Sequence, residues 1–264
     1  MEKIAFIGGG NMASAIIGGM IASGWTPSRI TVVDPNADQR NRLTAQHGVT
    51  TADEVASAAA ADIIVLAVKP QVIAAVAKQM DADLSGKLIL SIAAGVTIES
   101  LEDLFGPVAI ARTMPNTPAL LGLGATGLYV NDHTTDAQRM AAREIIEAFG
   151  ICVIVEREHL LDAVTAVSGS GPAYYFLMIE EMIRAGIILG LPPEDARALT
   201  LQTALGAAAM AAQGDSPEDL RARVTSPNGT THAAIVSLQK NGFGEVIAKA
   251  MTVCRDRAME LGRG

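Results

Sequence analysis

Through the first 157 residues, short unbroken apolar runs alternate with longer stretches whose apolar positions recur at helical spacing. Residues 4–7, 30–34, 63–68, 88–92, 108–112, 127–130 and 152–155 read as strands. Residues 13–23, 72–80 and 137–149 read as helices between them. Apolar strands without in/out alternation are buried on both faces. Strands that alternate with helices therefore predict a mostly parallel, doubly wound α/β sheet of Rossmann type.

Near Glu156, Arg157, Glu158 and His159 the strand signals stop. The rest reads as helices over about 159–190, 193–213, 217–224, 231–240 and 243–261, the first broken near 168–172. Gly190-Leu191-Pro192-Pro193 and Gly214-Asp215-Ser216-Pro217 are stop-and-start turns between helices. Two segments are expected: 1–157, a Rossmann-type sheet domain, and 158–264, an all-helical domain. The charged boundary does not resemble a flexible linker, so the helical part should pack on the sheet domain or on a second subunit.

The strongest local pattern is Gly8-Gly9-Gly10-Asn11-Met12-Ala13, directly after the first strand. Gly8, Gly10 and Ala13 stand at G-x-G-x-x-A spacing. In that pattern the first glycine makes the turn, the second lets backbone approach a pyrophosphate, and the third small residue lets helix and sheet pack closely. The helix N-terminus then presents free N–H groups to phosphate. Asp34, about twenty residues past the loop, stands where a carboxylate can accept from an adenosine ribose and repel a 2′-phosphate. It also suits the turn at Pro35. Arg40 reads as a solvated helix charge that can instead meet such a phosphate, so NADH and NADPH both remain open.

Composition narrows the class. Of the 264 residues, 50% are hydrophobic but only 3% aromatic. That excess of aliphatic side chains points to a large subunit interface. A formal charge of −8 without basic runs argues against nucleic acid. Cys152 and Cys254 have no metal-ligand spacing and read as buried, reduced thiols. His47, His133, His159 and His232 are scattered, and no metal site is expected. No secretory leader or membrane-length apolar run is visible, which suggests a cytoplasmic protein.

Four further segments carry candidate chemistry. Ala67-Val68-Lys69-Pro70 ends a strand where ligands bind in such sheets, although a lysine there is as readily a solvated strand end. Met114-Pro115-Asn116-Thr117-Pro118 is a proline-fixed loop, either polar cover for a crevice or a rigid turn. Ser168-Gly169-Ser170-Gly171-Pro172 interrupts a helix, for a ligand or for a plain helix corner. Thr225 to Thr231, with Asn228 and Gly229 at its centre, offers amides at a helix start that suit a carboxylate, or merely an N-cap. With no nucleophile or metal motif in view, the reaction should belong to a cofactor.

Taken in order, these blocks resemble the Δ1-pyrroline-5-carboxylate reductase family over essentially the whole chain. The stretch from Val224 to Thr231, continuing through Ala234-Ile235 to Leu238-Gln239, resembles the family signature. The resemblance implies reduction of the cyclic imine to L-proline by NADPH or NADH, the last step of proline synthesis. It implies an interlocked dimer whose sites use both subunits, with decamers in some members. Gly8, Gly10, Asn11, Met12, Asp34, Ala67, Val68, Lys69, Pro70, Asn116 and Ser226 are then cofactor residues. Ser168, Ser170, Gly229, Thr230 and Thr231 would meet substrate, with the Thr231 hydroxyl near the ring nitrogen. Asn228 stands where the family often has glycine. Asp34-Pro35 departs from NADPH-preferring members, which leaves that preference open. Two alternatives remain: a β-hydroxyacid dehydrogenase-like enzyme, although the helical part has no lysine before Lys240, and a non-catalytic cofactor sensor.

Overall fold

The computed structural model describes residues 2–80 and 82–262. Met1, Asp81, Arg263 and Gly264, which belong to the expected segments, lie outside the described residues. The chain forms two compact units. One holds the residues up to Ser170 together with those from Cys254 onward, and the other holds Gly171–Val253.

The first unit contains an eight-stranded sheet. Its strands are β1 (Ile4–Ile7), β2 (Ile30–Val33), β3 (Thr50–Ala52), β4 (Ile63–Leu66), β5 (Leu88–Ser91), β6 (Ala109–Met114), β7 (Gly124–Val130) and β8 (Gly150–Ile154). Their order is β3-β2-β1-β4-β5-β6-β7-β8. All neighbours are parallel except β6 and β7. Helices α1 (Asn11–Ala22), α2 (Ala37–His47), α3 (Ile73–Gln79), α4 (Ile98–Phe105) and α5 (Asp136–Glu147) follow individual strands. The apolar runs serve both faces. Ile4, Phe6 and Val65 pack with Ile16, Ile17, Met20 and Ile145. Ala5, Ile7 and Ile64 pack with Ile73, Val76 and Leu101 on the other side. Burial of both faces removes the polar alternation, which is why the strands were recognisable as continuous runs.

Some elements lie outside the expected set. β3 is a three-residue edge strand of Thr50, Thr51 and Ala52, with neither length nor hydrophobicity to mark it. α2 is polar on most of its surface and is set by its cap: the Asn36 side chain accepts from the Asp38 N–H (2.9 Å). α4 is capped by Thr97, which accepts from the Ser100 N–H (3.1 Å). The expected strand at 63–68 ends at Leu66, where the chain turns out of the sheet to begin the next loop.

The change from strand to helix falls near residue 157, but the compact units part at Ser170. α6 (Leu160–Val164) and the π-helical turn Thr165–Gly169 remain with the sheet. Gly127 on β7 explains the close fit of α6, because a Cβ there would stand 2.8 Å from Val164 Cγ1. An ion pair adds a second tie. Arg112 Nη1 on β6 donates to Glu158 Oε1 (2.7 Å), which also accepts from the Ile98 N–H at the start of α4 (2.8 Å). The final turns of α11 (Phe243–Leu261) also belong to this unit, with Leu261 packed against Gly95.

The second unit comprises α7 (Gly171–Ile188), α8 (Pro193–Ala211), α9 (Pro217–Arg223), α10 (Thr230–Lys240) and the first part of α11. α7 and α8 form a helical hairpin, with Gly186 close to Ala196. Its apolar side chains are largely uncovered: Tyr175, Phe176, Ile188, Leu189, Leu199 and Leu205 are all exposed. α10 and α11 bury no residue fully.

Glu158→Ala should cost about 2–3 kcal/mol. It strands the buried Arg112 charge and leaves the Ile98 N–H without this acceptor, and the figure for a fully buried pair is reduced because Glu158 is partly exposed. Urea unfolding of both forms at one fixed protein concentration measures the difference.

Candidate active site

At β1 and β4 the strand order reverses, so the helices leaving them diverge and open a crevice at their carboxyl ends. A cavity of about 380 Å³ occupies it. It is lined by Gly10, Asn11 and Met12 after β1 and by Ala67, Val68, Lys69 and Pro70 after β4. Ile92, Ala93 and Ala94 after β5, and Met114 and Pro115 at the end of β6, complete the lining. Four strand ends thus contribute, and the loop after β5 is the part that sequence reading missed. Its only signal was position at the same sheet edge.

The three loop glycines have different reasons. Gly8 has φ +97°, and a Cβ on it would stand 2.6 Å from the Ala67 carbonyl oxygen. Gly9 is crowded by Leu43 and by the Asp34 carboxylate. Gly10 meets nothing: a Cβ there has no protein atom within 4 Å. No neighbour among the described residues demands glycine at position 10, and this open space lies on the crevice that Gly10 lines. Gly10 also caps α1 with no side-chain hydrogen bond, leaving the first-turn N–H groups of a twelve-residue helix facing it. A pyrophosphate fits both features.

Asp34 lies at the end of β2, half-buried. Its Oδ2 accepts from the Gly9 N–H (2.8 Å), and its Oδ1 accepts from the Asn36 N–H (2.8 Å). Gln39 on α2, another residue missed in the sequence, donates to the Gly9 carbonyl. The carboxylate therefore braces the glycine loop from the end of β2. Arg40 is not a solvated charge. Its Nη1 donates to the carbonyls of Asp34 (2.7 Å) and Pro35 (3.1 Å), and its Nη2 lies 4.0 Å from Asp53. A guanidinium tied to these carbonyls holds the turn and is not freely offered to a phosphate.

Asn116 is 7% exposed, and its amide points into the protein. Oδ1 accepts from the Ala125 N–H (2.9 Å), and Nδ2 donates to the Ser168 carbonyl (3.0 Å). This is a different use from the expected cofactor contact. The Ser168 hydroxyl donates to the Val164 carbonyl (3.1 Å), and the Cys254 thiol donates to Ser170 Oγ (3.2 Å).

In the helical unit, Ser226, Gly229, Thr230 and Thr231 are brought together by one turn. The Gly229 N–H donates to the Ser226 carbonyl (3.0 Å). Asn228 has φ +59°, a left-handed conformation that asparagine tolerates better than most residues. Gly229 then caps α10 without any side-chain hydrogen bond, so no hydroxyl closes the helix N-terminus. Thr231 is half-buried, while Ser226 and Thr230 are exposed. Free first-turn amides beside hydroxyls suit a carboxylate.

The remaining candidates are quiet. Cys152 and Cys254 are half-buried rather than fully buried. Burial, assisted by Glu147, pushes the Cys152 thiol up to about 11, so it holds its proton and is a poor nucleophile. The His47 ring contacts the Ser14 hydroxyl (3.0 Å) and is held below its ordinary range by burial and by Arg42. Among the described residues no cluster of His, Cys, Asp and Glu can hold a metal.

A switch-point crevice that reserves empty space over a helix N-terminus is built for a dinucleotide. Comparison with known proteins agrees: residues 3–95 match the family model for coenzyme F420-dependent NADP oxidoreductases. The chain is an NAD(P)H-dependent oxidoreductase. Residues 158–261 match the model for pyrroline-5-carboxylate reductase dimerisation. A pyrroline-5-carboxylate reductase of Pseudomonas aeruginosa is 48% identical over 263 residues, covering 98% of this chain and 96% of the relative. A structure of such a reductase from Coxiella burnetii superposes with a TM-score of 0.95 at 42% identity, covering 98% of each chain. One from Plasmodium falciparum, with NADP bound, gives 0.87 at 31% identity, over 99% of this chain and 98% of its own. The chain belongs to the pyrroline-5-carboxylate reductase family.

Gly10→Val should abolish NADPH binding while shifting the melting temperature by no more than about 2 °C, since a Cβ there has no protein atom within 4 Å. Gly8→Ala should instead destabilise the fold by about 1–3 kcal/mol through backbone strain and overlap with Ala67. Fluorescence titration with NADPH and thermal melts of the two variants separate these outcomes.

Proposed function

We propose that the chain reduces 1-pyrroline-5-carboxylate to L-proline with NADPH or NADH in the cytoplasm. The observation that carries this reading is its end-to-end relationship to the P. aeruginosa reductase. The open cradle at Gly10 supports it independently. Gly8, Gly10, Asn11 and Met12 would hold the pyrophosphate side of the cofactor. Ala67, Val68, Lys69 and Pro70 would line its path, and Ser226 would be a further cofactor residue. When bound, the nicotinamide supplies the hydride.

The protein's own work is to orient the imine and manage one proton. The backbone amides of Gly229, Thr230 and Thr231, at the N-terminus of α10, would hold the substrate carboxylate by hydrogen bonds and helix dipole. Ser168 and Ser170 would add hydroxyl contacts to the ring. Hydride addition at the imine carbon sends the C=N π pair to nitrogen, which must end with a proton. The Thr231 hydroxyl would stand beside that nitrogen, orient the proton and stabilise the developing charge.

The family match to a dimerisation segment and the exposed apolar helices of the second unit support self-association. We take the working assembly as a dimer, or a decamer built from dimers, with each site drawing on two subunits. Among the described residues no helix is long and apolar enough to cross a membrane.

The decisive assay is NAD(P)H oxidation on addition of pyrroline-5-carboxylate, with L-proline as product. Cofactor binding without turnover would favour a sensor, and turnover of a β-hydroxyacid instead would favour that dehydrogenase class. Within it, Asp34→Asn should raise the NADPH/NADH ratio of kcat/KM about tenfold or more, because it removes the charge that repels a 2′-phosphate yet keeps an acceptor for the Gly9 N–H. An unchanged ratio would mean that Asp34 serves the loop alone. Thr231→Ala should lower kcat by about 10²–10³ with a smaller change in KM, and Thr231→Ser should recover much of the loss. Steady-state kinetics of both variants test the hydroxyl's role.

A further inference from the structure

The π-helical turn Thr165–Gly169 is the one π segment among the described residues, and it carries Ser168 and leads into Ser170. Such turns widen the helix, are less favourable than the α form, and occur mostly at functional positions. Its signature hydrogen bond runs from the Ser170 N–H to the Thr165 carbonyl, five residues back (2.8 Å). Two features explain why it persists. Pro172 has no N–H, so the Ser168 carbonyl lacks its ordinary i+4 donor. Asn116 Nδ2, fifty-two residues earlier in the chain, supplies a donor to that carbonyl at 3.0 Å.

Asn116 is itself firmly placed. It follows β6, its amide is buried, and its Oδ1 is held by the Ala125 N–H of β7. Next to it Met114, a wall of the crevice, occupies the space a side chain at position 169 would need. A Cβ on Gly169 would stand 2.5 Å from Met114 Cε. The turn is thus pressed against the crevice wall, and the Asn116 side chain ties it by a hydrogen bond to the loop after β6. The Cys254 thiol donates to Ser170 Oγ, so the Ser170 hydroxyl keeps its own proton to donate.

We propose that Asn116 is a positioning residue for the reduction. It holds the π-helical turn to the end of β6 and so fixes where Ser168 and Ser170 present their hydroxyls. The inference rests on the substrate reading of those two serines. It assigns Asn116 a role that acts through them rather than through the cofactor.

Asn116→Asp is the test, because it keeps an oxygen for the Ala125 N–H but removes the donor and sets a carboxylate against the Ser168 carbonyl. A displaced turn should lower kcat/KM for pyrroline-5-carboxylate by about tenfold to a hundredfold. Most of that loss should appear as a raised KM, while the NADPH Kd measured without substrate stays within about twofold. In a Ser168→Ala/Ser170→Ala background the same change should add little, since both act through one contact. Four results would overturn the proposal: wild-type kinetics, a parallel loss of NADPH affinity, full additivity with the serine variants, or a loss that persists although the serine variants are themselves silent. If the serine variants are silent, the substrate reading of Ser168 and Ser170 fails as well. If they are impaired and Asn116→Asp is not, only this inference fails. Asn116→Ala, read by the same constants, serves if the aspartate variant does not fold.

Discussion

The carboxyl edge of the sheet depends on one close approach, that of Gly8 to the carbonyl of Ala67. β1 and β4 are parallel neighbours, and the ladder continues past their ends, with the Ala67 N–H donating to the Ile7 carbonyl (2.8 Å). The chain leaving β1 must turn at once, against the chain leaving β4, with no room for a Cβ. Only a residue at home at positive φ makes that turn. Once it is made, α1 starts beside the crevice with its amides turned inward, and the first turn of the helix becomes part of the lining. The position of Gly10, the exit of Val68 and Lys69, and the level at which a dinucleotide can lie all follow from that contact.

Around it the protein uses polar side chains as braces. Asp34 and Gln39 grip the two polar atoms of Gly9 from opposite sides, Arg40 ties down the turn that carries Asp34, and Asn116 does similar work for the turn ahead of α7. Each brace uses a buried or half-buried polar group on loop backbone, which fixes position at the sheet edge more directionally than apolar contacts do. The helical unit takes a different course. Its turn before α10 is stabilised by a left-handed Asn228, and the helix start is left uncapped by side chains, which keeps amides available.

Much of this was legible in the residues, for reasons that differ element by element. β1, β4 and β5 are continuous aliphatic runs because both their faces are buried. The helices of the second part are separated by Gly–Pro turns whose chemistry admits little else. β3 was illegible because an edge strand of two threonines and an alanine carries no pattern. Within the site, glycine spacing revealed the crevice, but the same spacing does not tell that packing demands glycine at position 8 and leaves open space at position 10. That distinction needs the third dimension. Asp34 was readable as a carboxylate at the right distance, whereas its grip on Gly9 was not. Asn116 was readable as a polar residue in a fixed loop, yet its partner lies fifty-two residues away on another element. Arg40 and the two cysteines were misjudged because single-residue exposure is decided by neighbours distant in sequence.

The division of α11 between the two units has a consequence for how the molecule is made. The sheet unit is not complete when its last strand has been synthesised. It still needs the turn that places Leu261 against Gly95, and nearly all of the helical unit is translated between the two. The first unit therefore cannot close until the helical unit between its two parts has been synthesised. An N-terminal fragment that stops after β8 would emerge with an open seam beside Gly95 where the end of α11 belongs. Contacts of such long sequence separation slow folding and lengthen the interval in which apolar surface is uncovered. For this chain the last turn of the last helix acts as the latch on the first unit.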